Sequence, residues 1–320
     1  SVEQGVSLFV DEVMRGGKRR VVLAGSLGVL NDDGSDREPP QRLPPDVSEL
    51  LSDANRFPFV DKVVSHQPFD SLSYECTIDA NNYPFLEDHA IDNVPYHPGV
   101  MALEMFSQGA QLLWPPCSVI GFAGVRFGLP IKLLKQEQKL RLVAEFSHQN
   151  SENVWVKCRL ESDLINKSGE VFGEPRIHHR GLVRMLKKDA DRGLLKLPSI
   201  GTPSRGGGVA LGSDFVYQRF FHGPRFQSHG GILSGCSIDE MFGVDGIALS
   251  RHQLPNTNQF SAGDVTLEAQ PMLIEACFQN AGMVAMEIDG LQSLPVGIEI
   301  LELIRTPEKT DSLRMRALRI

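Results

Sequence analysis

Apolar residues recur along this chain with two different periods, and the changes of period divide it. Residues 3–15 place Val6, Phe9, Val10 and Val13 at helical spacing, and Gly16-Gly17 stops that helix. Residues 20–24 read as a short strand, and residues 31–46 are polar and proline-rich, as in an interdomain linker. From about residue 58 the period falls to two. Residues 72–78, 139–146, 154–160 and 181–186 alternate or cluster apolar side chains as half-buried strands do. Between these strands a helix is predicted from Pro98. Its apolar positions (Val100, Met101, Leu103, Met105, Phe106, Ala110, Leu112, Leu113) cover more than one face, the mark of a helix wrapped by other structure. Residues 187–210 break the pattern with charges, prolines and three consecutive glycines. A second strand-rich run follows at 215–221 and 230–233, then a helix from Pro271, then a strand at 296–304.

The two helical segments match. Each opens on a proline (Pro98, Pro271) and carries a glycine eleven positions later (Gly109, Gly282). A strand-rich unit around one buried helix is the hot-dog arrangement. The expected fold is therefore α+β: two hot-dog units side by side, one continuous sheet with two central helices. The expected boundaries are 1–46 for the tail of a preceding domain and its linker, 47–190 for the first unit, 191–210 for the connection and 211–320 for the second. The start at Ser1 and the end inside an alternating stretch, 313–317, read as a piece of a longer polypeptide.

Composition narrows the function classes. Of 320 residues, 41% are hydrophobic and 22% charged, in the range of soluble globular chains, and the net charge of −8 argues against nucleic acid as a partner. No apolar run reaches the length of a membrane span. The five cysteines are scattered, without a CxxC pair; they read as reduced thiols in a cytoplasmic protein and give no zinc motif. No His, Cys and carboxylate spacing fits a metal site.

The chemistry concentrates at the paired helices. The start of each helix offers free N–H groups and partial positive charge, able to polarise a thioester carbonyl. His89, on the loop before the first helix, is a candidate base. His97, directly before Pro98, is a competing one. Asp88 and Asp92 flank His89 and are expected to be loop carboxylates, and His178-His179 to be surface or pocket-rim residues. On the second helix Glu275 and Gln279 share a face at i,i+4. Glu275 lies between Ile274 and Phe278, where burial is expected to raise its pKa and keep it protonated as a general acid. Base, acid and dipole together describe dehydration of a 3-hydroxyacyl thioester.

Several motifs carry a family resemblance. Asp88-His89-x3-Asn93-x4-Pro98-Gly99 resembles the HxxxGxxxxP motif of polyketide synthase dehydratase domains. His222-Gly223-Pro224-Arg225-Phe226-Gln227 resembles their YGPxFQ segment. The stretch 271–279, PMLIEACFQ, resembles HPALLDAALQ with its catalytic DxxxQ/H, and Leu294-Pro295 their late LP motif. All four stand in the family's order across residues 50–320. The resemblance implies a double hot dog in which His89 is general base, Glu275 general acid and Gln279 its orienting partner. It implies that Asn93, Pro98 and Gly99 hold the thioester, and that His222, Gly223, Pro224 and Phe226 line the substrate. It further implies a substrate on the phosphopantetheine arm of an acyl carrier protein, no cofactor bound by the domain itself, neighbouring synthase domains as partners, and a homodimer as a fitting assembly. The first thirty residues resemble the end of a ketoreductase domain without its Tyr-x3-Lys pair.

Glu275 stands for the family's Asp, Asn93 for its Gly and His222 for its Tyr, as in a divergent branch such as polyunsaturated fatty acid synthases. Asn is the best non-glycine residue if the backbone at 93 needs positive φ. Two other readings fit the same residues: a catalytically degenerate scaffold, and a double-bond isomerase or product-template-like domain.

Overall fold

The computed structural model describes residues 47–52, 56–134, 137–188, 211–237, 240–244, 267–290, 293–304 and 314–318. By their contacts, residues from Asp46 onward form one unit. The helix expected at 3–15, the strand at 20–24, the linker at 31–46 and nearly all of the connection at 187–210 lie outside the described residues.

A single turn, α1 (Val47–Leu50), leads into the strands β1 (Lys62–Gln67) and β2 (Ser71–Asp79). A 3-10 turn (Pro84–Asp88) and a small hairpin, β3 (Ala90–Ile91) and β4 (Val94–Pro95), bring the chain to the central helix α2 (Gly99–Leu113). Then come β5 (Cys117–Phe127), β6 (Glu137–Gln149), β7 (Asn153–Ser162) and β8 (Arg176–Lys187). The second half holds β9 (Leu211–Gly212), α3 (Ser213–Tyr217), β10 (Gly231–Ser237), β11 (Glu240–Val244), the long helix α4 (Pro271–Asp289), β12 (Gly297–Glu302) and β13 (Arg314–Leu318).

The first sheet has seven antiparallel strands in the order β1-β2-β6-β7-β8-β5-β12. It wraps α2, which packs against β2, β5, β6, β7 and β8. Every residue of α2 from Val100 to Leu113 is buried. Each large apolar side chain among them contributes about 1.5–3 kcal/mol through its removal from water. Gly109 permits the close approach: a Cβ there would run into the fully buried side chain of Leu142 on β6. The buried polar residues of α2 are bonded locally, Ser107 Oγ to the Leu103 carbonyl at 3.0 Å and Gln111 Nε2 to the Pro115 carbonyl at 3.1 Å.

The second sheet is β13-β11-β10-β9, with α4 against β11 and β13. The two helices touch each other. This corrects the single continuous sheet expected from sequence: among the described residues there are two large sheets. What joins the halves is β12, which follows α4 in sequence but pairs with β5, from Gly297 opposite Arg126 to Glu302 opposite Gly121. Gly121 allows that pairing, because a Cβ there would meet the Leu301 carbonyl oxygen.

Two further corrections are local. The strand expected at 215–221 is instead α3 and the loop after it. The guanidinium of Arg219 lies 3.4 Å above the Phe215 ring and donates to the Phe215 carbonyl, an i,i+4 contact that helical spacing provides and an extended strand does not. Pro98 sits one residue before its helix, in extended conformation (ψ 140), whereas Pro271 is the first helical residue as expected. Among the described residues no helix is long and apolar enough to cross a membrane.

Candidate active site between the two central helices

His89 ends the 3-10 turn and enters the β3–β4 hairpin. That hairpin turns on Asp92 (φ 51) and Asn93 (φ 62), both left-handed, the combination a two-residue type I′ turn requires. Asn93 thus supplies the positive φ anticipated for it; its place is structural, at the turn that returns the chain past His89. On the return strand Tyr96 donates its N–H to the His89 carbonyl, and the Tyr96 carbonyl lies 2.9 Å from His89 Nδ1. A carbonyl only accepts, so Nδ1 carries the proton and Nε2 keeps its lone pair. Burial lowers the His89 pKa to about 4 even though the Glu275 carboxylate opposes that shift, which leaves the ring a neutral base at ordinary pH.

The His89 ring packs edge-on against Phe221, His222 and Phe226, with centroids 5.1, 5.5 and 5.2 Å away. Those three residues belong to the second half, and one clamp seats their loop. The Gly223 N–H donates to the Asp88 carbonyl at 2.8 Å, and Arg225 reaches the Asp88 carboxylate through its guanidinium at 2.8 Å. A Cβ at Gly223 would collide with Asp88, so only glycine permits this seating. Asp88 therefore holds the two halves together and does not orient His89. Pro224 starts the short 3-10 turn Pro224–Phe226, which buries Phe226 under both histidines.

Glu275 lies on α4, buried, with its Oε1 3.1 Å from His222 Nε2 and 2.9 Å from Gln279 Nε2. Gln279 is fixed in turn: its Nε2 also donates to the Phe226 carbonyl at 2.8 Å, and its Oε1 accepts from Tyr217 Oη at 2.6 Å. The fold thus gathers His89, His222, Phe226, Glu275 and Gln279 into one cluster, with Gly223 and Pro224 supporting it. Gly99 stands at the start of α2, packed where a Cβ would press on the Phe127 ring at 3.0 Å.

The raised pKa expected for Glu275 is corrected. Desolvation does push the carboxyl up, but the hydrogen bond and electrostatic pull of His222, with His89 and Gln279 behind them, outweigh it and hold the pKa below the ordinary value. The tautomer of His222 fits that hydrogen bond. Its Nδ1 is buried without a hydrogen-bond partner among the described residues. A proton on Nδ1 would be a buried donor facing nothing, so the proton belongs on Nε2, donated to Glu275 Oε1.

The competing histidines differ. His97 is buried and neither ring nitrogen has a protein partner among the described residues, so nothing selects its tautomer as Tyr96 does for His89. His178 and His179, expected at the surface or a pocket rim, are both buried on β8. His178 bonds Ser162 Oγ at 2.8 Å and the Leu129 carbonyl at 3.0 Å, which makes it a core residue. Sequence reasoning missed Tyr217 and the pairing of His222 with Glu275; both depend on approaches between segments more than fifty residues apart. Among the described residues, no group of three metal-ligating side chains is placed to hold a metal ion.

Compared with protein-family models and with curated proteins, the sequence matches none. Solved structures do match. The dehydratase domain from the CurF module of the curacin polyketide synthase superimposes over 82% of this chain and 89% of its own length, with 14% identity and a TM-score of 0.56. The dehydratase domain from the terminal module of the rifamycin polyketide synthase covers 86% of this chain and 90% of its own, at 19% identity and 0.56. A pyran synthase domain from module nine of the sorangicin pathway covers 83% and 86%, at 17% identity and 0.53. The chain has the double hot dog fold of these polyketide synthase domains.

Proposed function

We propose that this domain removes water from a 3-hydroxyacyl thioester delivered on the phosphopantetheine arm of an acyl carrier protein. The observation that carries the reading is the neutral, oriented His89 set against the His222–Glu275 pair, one from each half of the fold. His89 Nε2 takes a proton from the carbon next to the thioester carbonyl. The carbonyl oxygen, gaining charge, meets the N–H groups at the start of α2, whose first members have no intrahelical acceptor. The carbon–oxygen bond at the third carbon then breaks as the double bond forms.

The hydroxyl must leave with a proton. In the resting state the His222–Glu275 pair holds its proton on His222 Nε2 and has none in excess. The balance closes if Glu275, as a carboxylate, accepts the hydroxyl hydrogen bond and orients that group, while His89 passes on the proton it has taken. The departing oxygen then carries two hydrogens and His89 is neutral again. Glu275 in this reading orients the leaving group, a change from the acid role implied by the family resemblance.

Incubation with 3-hydroxyacyl pantetheine thioesters and detection of the 2-enoyl product tests the activity. His222→Phe separates the two roles of Glu275. Without its partner the buried carboxyl rises in pKa. Activity at pH 7 then falls if Glu275 works as a carboxylate, and is kept or extended to higher pH if it works as an acid. Full turnover in both His89→Ala and Glu275→Gln would sink the whole assignment. A 2-enoyl substrate in the same assay detects double-bond migration, the reading favoured if no water is lost or added.

A further inference from the structure

One buried carboxylate takes no part in this chemistry. Glu104, in the middle of α2, is fully buried. Its Oε2 accepts the Ala269 N–H at 2.8 Å and its Oε1 accepts Gln108 Nε2 at 2.9 Å; Gln108 Oε1 accepts the Phe59 N–H at 3.1 Å. A hydrogen-bonded chain thus runs from the first half through α2 to the residue two places before α4. Ala269 is fully buried, and Gln270 after it takes a left-handed turn (φ 54) into the helix. α4 carries a clasp of the same form, Gln279 Nε2 on Glu275 Oε1 at 2.9 Å. Each helix has one Glu–Gln pair, and the two serve different ends.

An ionisable group in an apolar core is costly to keep. A leucine would fill the space, but would leave the Ala269 N–H unbonded. A glutamine would not serve either, because its NH2 group would face one of the two converging N–H donors, where either oxygen of a carboxyl, ionised or protonated, keeps a lone pair. We propose that Glu104 is a positioning residue: it fixes where the chain enters α4, and so the setting of Glu275 against His222 and the substrate. This inference rests on the dehydratase reading for its catalytic consequence, and on geometry alone for the tie between α2 and α4.

The test compares Glu104→Leu and Glu104→Gln with Gln108→Leu, which disturbs the same core but leaves the Ala269 bond in place. Two quantities are read in the full chain: amide hydrogen exchange at residues 269–274, and kcat and KM for water loss from a 3-hydroxyacyl pantetheine thioester. Both Glu104 variants are expected to speed exchange there about tenfold or more over Gln108→Leu. They are expected to lower kcat about tenfold or more with KM changed less than about threefold. Should Glu104→Leu not fold, the isosteric Glu104→Gln carries the comparison. Folded variants with wild-type kcat overturn the positioning role, and unchanged exchange overturns the tie. A wild-type chain that releases no water defeats the dehydratase reading instead, and exchange at 269–274 then decides the tie by itself.

Discussion

At the scale of single residues, the ionisation states are set by what each group faces. His89 is neutral because burial outweighs the nearby carboxylate, and its pKa of about 4 has a direct consequence. The acid limb of the kcat/KM profile that reports this base is expected near pH 4, well below the ordinary histidine range; a limb at 6.5 would remove His89 from the role. His89→Ala should lower kcat/KM by about 10²–10⁴, the usual worth of a positioned base. Glu104 offers a second check. Burial raises its pKa from 4.5 to about 7, with Glu268 adding to the rise and Gln108 and the Ala269 N–H opposing it; Tyr74 also lies within electrostatic reach. The folded chain therefore binds this proton more tightly than the unfolded chain. The stability it contributes is complete below pH 4.5 and lost as pH rises through 7, on the order of 3 kcal/mol. Glu104→Gln should remove that slope, which urea unfolding of the two proteins across this range would show.

At the scale of elements, glycines decide how closely the pieces approach. Gly109→Ala sets a methyl against the fully buried Leu142 side chain between α2 and β6, which must repack to admit it. Overpacking of this kind costs about 1–3 kcal/mol and should appear as a lower Tm. Gly223→Ala acts differently. Its new methyl meets the Asp88 carboxyl group and backbone, so the loop that carries His222 must lift from the first half. Activity is expected to fall by more than stability does, a contrast that thermal unfolding and turnover measured on the same sample would reveal. Elements were the level most legible in the sequence. Period-two alternation marked β2, β6, β7 and β8, and the two prolines marked α2 and α4, because these patterns are local. β5 is not legible as a strand, since Gly121 and Gly124 interrupt its alternation, and α3 reads as a strand because Phe215, Val216 and Tyr217 are equally at home in one.

For the whole molecule, the buried histidines predict sensitivity to acid. His89 and His179 both have pKa values of about 4, and His97 is shifted in the same direction, each mainly by desolvation. The unfolded chain binds these protons more readily, so stability falls as pH drops from 6.5 toward 4, by about 3 kcal/mol for each of the first two. Glu104 runs the other way over part of that range, but His178 and His229 are shifted with the other three, so it is one group against five. Urea midpoints should fall between pH 6.5 and 4.5; a flat dependence would contradict the burial of these rings. The sequence by itself determined the two central helices and the strands β2, β6, β7 and β8, the doubling of a proline-led helix, and His89 and Glu275 as the residues to watch, because each rests on patterns within a few positions of chain. Only the tertiary structure decided that β12 crosses to the other half's sheet, that Asp88 clamps Arg225 and Gly223, and that His222 holds Glu275 ionised. Desolvation and pairing energies belong to neighbours in space, and here those neighbours are dozens of residues or more apart along the chain.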